Sequence, residues 1–328
     1  FIGKCLDAII VNDFPKNKLE VFVVDGMSDD GTRQLISDYT KKFPFIKLLS
    51  NEKKVTPVAM NMGIKAAKGE YIIILSSHSE IDHRFLSLNL EGFEKYAADC
   101  VGGIIITLPA NKTIIAESVA LALAHPFGVG NSHFRIGATE PKYVDTVPFG
   151  CYKKERIESI GLFDEDLVRN QDDELNLRLL KHGGKILLMP NIISFYHARE
   201  SLQKLWKMYY QYGHFKPLVA HKVGGVLTWR QLIPALFVSN LIVLGMFSFI
   251  SHYFFGLFLG VVLLYIMGNL FFAFSVAKRK GLKFFMTLPA VFATLHFSYG
   301  TGYIKGIWDF IIIKKQNRNN IGDIPSSR

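Results

Sequence analysis

The sequence predicts an α/β domain built on a mainly parallel sheet, followed by a C-terminal region of membrane-type helices. Two observations carry this. Between residues 19 and 75, short β-branched runs alternate with stretches of helical spacing. After Arg230 the charges vanish: residues 231–252 and 253–277 hold no Lys, Arg, Asp or Glu. At about 1.5 Å per residue, a helix over the second stretch spans the roughly 30 Å hydrocarbon layer. The composition agrees, with 49% hydrophobic, 13% aromatic and 20% charged residues and a mean hydropathy of +0.22. Such a chain of 328 residues can bury a large core, which excludes intrinsic disorder.

The elements follow in order. Residues 19–24 form a strand ending at Asp25, 32–42 a helix and 45–49 a short strand. Residues 56–67 form the next helix and 71–75 a buried strand. In such a repeat, ligands bind at the carboxyl ends of the strands, where Asp25 and the Ser76-Ser77-His78 segment fall.

Asp25 opens the run Asp25-Gly-Met-Ser28-Asp-Asp30-Gly-Thr32. A carboxylate there can accept hydrogen bonds from a base or ribose. The same run also reads as a turn that caps the following helix. At the second strand end, His78 and Glu80 are plausible ligands for a metal or a diphosphate, although a lone His is as often structural. Further on, Asn170-Gln-Asp172-Asp173-Glu174-Leu opens a helix with three acids that its dipole stabilises. Asp172 and Asp173 project about 100° apart, so one can face a cleft as a general base while the other faces solvent.

Lys plus Arg number 38 and Asp plus Glu 28, for a formal charge of +10. Much of this excess flanks the apolar stretches, where anionic lipid headgroups account for it without nucleic acid. Lys216, Lys222 and Arg230 precede the first stretch, and Lys278, Arg279, Lys280 and Lys283 follow the second. The positive-inside rule then puts the N-terminal domain and the second loop in the cytoplasm. Lys305, Lys314, Lys315 and Arg318 favour the same side. The third uncharged stretch, 284–304, is therefore either a third span or a segment re-entering at Pro289, Gly300 and Gly302.

Residues 201–216 carry Leu202, Leu205, Trp206 and Tyr209 on one stripe, as in an interfacial helix or a surface helix packed on the domain. The organisation expected is 1–198 catalytic domain, 199–230 amphipathic helix and linker, 231–315 transmembrane region and 316–328 polar tail. Cys5, Cys100 and Cys151 are odd in number and widely spaced, which excludes a complete disulfide framework and a zinc cluster. No Gly-x-Gly-x-x-Gly follows the first strand, which argues against a dinucleotide oxidoreductase.

Taken together, the Asp25 run, Asn61-Met-Gly-Ile-Lys-Ala-Ala-Lys-Gly69-Glu-Tyr, Ser-Ser-His78 and Asn170-Gln-Asp-Asp-Glu-Leu resemble the family 2 glycosyltransferases. The subgroup they resemble is the membrane-anchored type of succinoglycan and exopolysaccharide synthesis. The resemblance implies a GT-A fold and an inverting, nucleotide-sugar-dependent transfer to a lipid-linked saccharide. A UDP-sugar stands ahead of a GDP-sugar as donor, and Mg²⁺ or Mn²⁺ as cofactor. Asp25, Ser28, Asp30 and Asn61 would bind the donor nucleotide. Ser76, His78 and Glu80 would face the metal or diphosphate, and Asp172 would be the base. Asp173 and Arg199 would lie on the acceptor side.

The implied location is the plasma (inner) membrane, multi-pass, with a cytoplasmic catalytic domain. A polyprenyl-phosphate sugar synthase or a degenerate, non-catalytic nucleotide-sugar-binding homologue are the alternatives. Three features depart from the family pattern. Ser76 replaces the usual acid, Gln171 replaces the Glu before the base, and the family's first strand, expected before Phe1, is missing.

Overall fold

The computed structural model describes residues 1–225 and 228–314. The polar tail, with Lys315 and Arg318, lies outside the described residues. The chain forms two compact units. The first holds Phe1–Ile106 and Gly137–Tyr196; the second holds Thr107–Ile136 and the described residues from His197 onward. A linear division at residue 198 therefore does not follow the packing, because an insertion from the middle of the N-terminal half joins the C-terminal helices.

In the first unit, α1 (Ile2–Ile10) precedes β1 (Val21–Asp25), α2 (Thr32–Lys42), β2 (Ile46–Ser50), α3 (Thr56–Ala66) and β3 (Tyr71–Ile73). Then come β4 (Glu80–Ile81), α4 (Phe85–Lys95) and β5 (Cys100–Leu108). The alternation read from the sequence is present through β3. β1 and β2 pair in parallel, with Asp25 opposite Ser50. The other strands form a second, six-stranded sheet, which is not mainly parallel as expected. Its order is β3-β7-β5-β8-β4 with β6 on β8, and β3–β7, β5–β7, β4–β8 and β6–β8 all run antiparallel. A strand–helix–strand crossover returns the chain parallel. That rhythm ends after β3, so the sequence signal covered only the first strands.

The core lies between α1, α4 and the sheet, around Cys5, Ile9, Phe85, Leu88, Val101, Leu187, Met189 and Ile192. α4 buries Phe85, Leu88 and Gly92 along one face, and a Cβ on Gly92 would overlap Val101 and Met189. The three cysteines are buried as free thiols. Desolvation pushes the Cys5 thiol up to about 11.

The second unit begins with α5 (Ile114–Leu123), α6 (Pro126–Val129) and α7 (His133–Ile136). The first unit then resumes with β6 (Lys142–Val144), β7 (Cys151–Lys153), α8 (Lys154–Ser159), α9 (Gln171–Lys181) and β8 (Ile186–His197). The second unit continues with α10 (Leu202–Val223), α11 (Ile233–Phe247), α12 (His252–Lys280) and α13 (Leu288–Gly306), which runs on into a π-helical turn, Ile307–Ile312.

The third uncharged stretch becomes α13, and α13 is the hub of its unit. It buries Leu288, Val291, Phe292, Leu295 and Tyr303. α10 lies against it with almost no side chain between the two backbones. A Cβ on Gly213 would strike the Tyr299 carbonyl, one on Gly302 that of Tyr210, and one on Gly306 that of His214. The helix expected over 201–216 is thus longer and buries Leu205, Met208, Phe215 and Leu218 within its unit, while Trp206 stays exposed.

The insertion docks on the same hub. Ser118 Oγ and Thr287 Oγ1 lie 2.6 Å apart, and Lys283 pairs with Glu117 at 3.0 Å. His296 Nε2 donates to the Phe127 carbonyl at 2.6 Å. Among the described residues, Trp229–Phe247 and His252–Lys280 are long and apolar enough to cross a bilayer, and only 11% of each most apolar window is buried.

Candidate functional site

Asp25 ends β1 with its carboxylate buried, 6% exposed. The turn that follows places Met27 in the left-handed region, φ 64°, and wraps Ser28 back onto the acid. Ser28 Oγ donates to Asp25 Oδ1 at 2.6 Å, and its amide donates to Oδ2 at 3.0 Å. From the first turn of α2, Arg33 Nη1 donates to Oδ2 at 2.8 Å, and its Nη2 reaches Ser50 Oγ at 2.9 Å. Burial works against the Asp25 charge. The hydrogen bonds from Ser28 and Arg33 outweigh it and hold the carboxyl below its ordinary 3.8. Asp30 is exposed and accepts the Thr32 amide at 3.2 Å, so it fixes the entry to α2.

Asn61 is committed to the fold. Its Nδ2 donates to the Phe163 carbonyl at 2.9 Å and to Glu165 Oε1 at 3.1 Å, and its Oδ1 accepts the Phe163 amide at 3.0 Å. It is 5% exposed and clamps α3 to the loop before α9. The expectation of a nucleotide contact at Asn61 therefore gives way to a structural role, because donors and acceptor are all engaged within the protein.

At the other strand end Ser76 and His78 are exposed. Ser77 Oγ lies 3.0 Å from His78 Nδ1, Ser76 Oγ accepts the His78 amide at 3.4 Å, and the Phe1 ring sits 4.4 Å from the imidazole. Glu80, on β4 opposite Phe195, lines an open pocket with Lys4, Asp7 and Phe195. Among the described residues no three His, Cys, Asp or Glu side chains gather to hold a metal. A hydroxyl, one imidazole and the single carboxylate of Glu80 are a poor donor set for a hard divalent cation, which prefers several carboxylates. These residues do not fit a cation site of their own, and no step of the chemistry below depends on one.

Asp172 and Asp173 stand in the first turn of α9, Asp172 exposed and Asp173 half-buried. Asn170, φ 59°, caps this turn in the left-handed region, so the chain enters the helix sharply. The next carboxylate points inward: Glu174 is 3% exposed and meets Arg178 twice, at 2.7 Å (Nε) and 2.8 Å (Nη2). Arg178 also donates to the carbonyls of Ile160 and, at 2.5 Å, Leu162. The loop before the acids is therefore held by Arg178 from α9 and by Asn61 from α3.

Below it, the Tyr152 hydroxyl donates to Asn176 Oδ1 at 2.8 Å, and Asn176 Nδ2 to Thr146 Oγ1 at 2.9 Å. Burial pushes the Tyr152 phenol up, with smaller contributions from Cys100 and Asp172. Arg33, Ser50 and Tyr152 were not singled out from sequence. The only sign for Ser50 is its position at the carboxyl end of β2. Arg33 reads as an ordinary helix residue until β1 and α2 are brought together. Arg199 belongs to the second unit. It is half-buried, and its Nε has no hydrogen-bond partner among the described residues.

The glycosyl transferase family 2 model matches residues 1–123. The chain is 32% identical over 316 residues to the dolichyl N-acetyl-alpha-D-glucosaminyl phosphate 3-beta-D-2,3-diacetamido-2,3-dideoxy-beta-D-glucuronosyltransferase of Methanococcus voltae. That match covers 94% of this chain and 93% of the relative. It is 25% identical over 216 residues to the succinoglycan biosynthesis protein ExoA of Rhizobium meliloti, covering 65% of this chain and 64% of the other. Among solved structures, the mannosyltransferase PcManGT of Pyrobaculum calidifontis, in complex with GDP-Man and Mn²⁺, superposes with a TM-score of 0.58 at 17% identity. The superposition covers 94% of this chain and 83% of that one, a likeness of fold. With the strand-end acid, the helix-opening acids and a relative matched over nearly its whole length, the chain belongs to glycosyltransferase family 2 and is a glycosyltransferase of GT-A fold.

Proposed function

We infer that this enzyme moves a sugar from a nucleotide-sugar donor to a hydroxyl of a lipid-linked saccharide, with inversion, in the assembly of a cell-surface glycan or exopolysaccharide. The observation that carries the reading is an exposed carboxylate, Asp172, on a helix start that buried neighbours hold rigid. Asp172 takes the proton of the acceptor hydroxyl, and that oxygen attacks the anomeric carbon from the face opposite the nucleotide. The bond from that carbon to the diphosphate oxygen breaks, and the nucleoside diphosphate leaves with the electron pair. A single displacement inverts the configuration. The Asp25 turn would hold the donor's base. Asp173 would serve the acceptor.

The acceptor class follows from similarity to a relative whose name specifies a dolichyl-linked substrate. The apolar helices α11 and α12 suit an enzyme that works at a membrane, with its first unit in the cytoplasm. In the related complex with Mn²⁺ the cation accompanies a nucleotide sugar. Any Mg²⁺ or Mn²⁺ here would be carried mainly by the donor's own oxygens. The alternative acceptor, a polyprenyl phosphate, is already ionised and needs no base, so Asp172 separates the two.

The deciding experiment follows nucleoside diphosphate release from UDP- and GDP-sugars by the full chain in nanodiscs, with lipid extract supplying acceptors. Asp172→Asn should lower kcat by about 10²- to 10⁴-fold with donor affinity retained. Turnover that survives the substitution would favour a phosphate acceptor. Silence with nucleotide still bound would identify a non-catalytic homologue.

A further inference from the structure

α11 and α12 pair as an antiparallel hairpin. Phe247 lies beside Phe254 at one end, and Phe237 stacks on Tyr265 toward the end marked by Arg230. Pro234 on α11 and Asn269 on α12, about a turn beyond that stack, therefore stand at one level of the hairpin. α13 meets both helices at this level. Near its start, Asn269 Nδ2 donates to the Pro289 carbonyl at 3.0 Å. Further along, the Tyr265 hydroxyl donates to His296 Nδ1 at 3.0 Å, and Phe297 packs on Phe237. Later still, a Cβ on Gly300 would strike the Pro234 carbonyl and Val238. From Pro289 to Gly300 is about 16 Å of helix axis. A third span would have moved that far along α12, to about residue 258. α13 instead lies across the hairpin.

The π-helical turn that continues α13 has two unlike sides. On the inner side, Phe310 packs on His214 and Phe215 of α10. Asp309, 7% exposed, pairs with Lys305 at 2.7 Å and lies 3.6 Å from His214 Nε2. On the outer side Ile307, Trp308, Ile311, Ile312 and Ile313 are all exposed, Trp308 by 52% and Ile312 by 57%. Lys305 and Lys314 bracket them. The turn thus hides its acid and presents an apolar face between two cations.

We propose that residues 307–313 form a membrane-contact surface whose Ile and Trp side chains enter the cytoplasmic leaflet at the headgroup–acyl boundary. Lys305 and Lys314 meet anionic headgroups there. The proposal rests on reading α11 and α12 as spans. Three features select lipid as the partner over a protein or a second copy. The turn continues a helix laid across the spans at their Arg230 end, so its apolar face extends the surface that α11 and α12 already offer to a bilayer. Tryptophan is enriched at the membrane–water interface, and lysine is drawn to the anionic cytoplasmic leaflet. With Asp309 turned inward, nothing in the turn repels that leaflet. A contact of this kind reaches about 5–10 Å deep. It leaves two crossings in all and puts Lys314 on the same side as Lys280, which accommodates the basic residues after α13 within the positive-inside rule.

The test uses the full chain carrying Trp206→Phe and Trp229→Phe, which leaves Trp308 as its only tryptophan. It is placed in nanodiscs of phosphatidylcholine and phosphatidylglycerol with acyl chains brominated at shallow or deep positions. Trp308 should lose more emission to shallow bromines than to deep ones, and less of it when phosphatidylcholine replaces phosphatidylglycerol. Adding Ile311→Gln and Ile312→Gln should remove most of the quenching. In cells, Lys314→Cys should react with an impermeant maleimide only after permeabilisation. Emission open to aqueous acrylamide and untouched by bromines overturns the proposal. Emission shielded from both quenchers does so too, since a protein surface then covers the turn. Stronger quenching by deep bromines, or labelling of Lys314→Cys from outside, shows that α13 crosses and overturns it as well. Equal quenching in the two headgroups strikes the part given to Lys305 and Lys314. If the tryptophan variant does not fold, the labelling of Lys314→Cys decides. Ser251→Cys separates the two readings: without labelling from outside, the spans themselves fall, whereas with it an unquenched Trp308 removes the turn's contact alone.

Discussion

Asp25 shows how one carboxylate at a candidate site can stabilise the fold. Its native carboxyl is held below 3.8 by Ser28 and Arg33 against the pull of burial. The unfolded chain therefore binds the proton more readily than the native one. The stabilisation this supplies is complete above about pH 4. It is lost as pH falls through the lowered native value. Asp25→Asn should thus lower the melting temperature at pH 7, with the gap to wild type narrowing below pH 4; scanning fluorimetry across that range checks this. The residues around His78 lead to a second expectation. With a hydroxyl at Ser76 and no clustered acids among the described residues, the nucleotide-free chain should show no Mn²⁺ binding tighter than about millimolar, the weak end of oxygen-ligand sites. A calorimetric titration of Mn²⁺ before and after adding UDP would detect a protein-held ion if there were one.

At the level of elements, α9 carries the proposed base Asp172 in the same turn as a buried ion pair. Glu174 and Arg178 are a buried pair, with side chains 4% and 17% exposed. Removing one partner strands a charge, so Glu174→Gln should cost about 3–5 kcal/mol. The double variant Glu174→Leu with Arg178→Met should be more stable than that single one, yet below wild type. It removes both charges but still abandons the Ile160 and Leu162 carbonyls. Denaturant titration of the three proteins checks the order. The α10–α13 seam makes an equally sharp contrast. Gly302→Ala drives a methyl into the Tyr210 carbonyl and should cost about 1–3 kcal/mol. Gly268→Ala, in α12 with nothing within 4 Å, should be neutral or stabilise by up to about 1 kcal/mol through helix propensity.

For the whole molecule, the testable quantity is which side of a bilayer each loop occupies. Ser251 lies between α11 and α12, and Lys280 ends α12 amid its basic cluster. Cys5, Cys100 and Cys151 are at most 5% exposed, so background labelling in the folded protein is low. With an impermeant maleimide on intact cells, Ser251→Cys should label from outside. Lys280→Cys should label only after permeabilisation. The reverse pattern would invert the orientation inferred from the basic residues.

The sequence determined what depends on neighbouring residues alone. The alternating elements up to β3, the apolar stretches and the basic residues that flank them follow from local periodicity and charge. So do the helix-opening acids at Asp172 and the strand-end acid at Asp25. Their order along the chain was enough to suggest the family. Only the tertiary structure decided what depends on residues far apart in sequence. Asn61 reads as a ligand in its motif but spends its amide on Phe163, about a hundred positions away. Arg33 joins the site because β1, β2 and α2 converge on one strand end. Residues 107–136 pack with the C-terminal helices although they lie within the N-terminal half, and 284–304 becomes the buried hub of that unit. Periodicity tells which face of an element is apolar; which partner covers that face is a long-range choice, fixed by shape and by hydrogen bonds that no local pattern encodes.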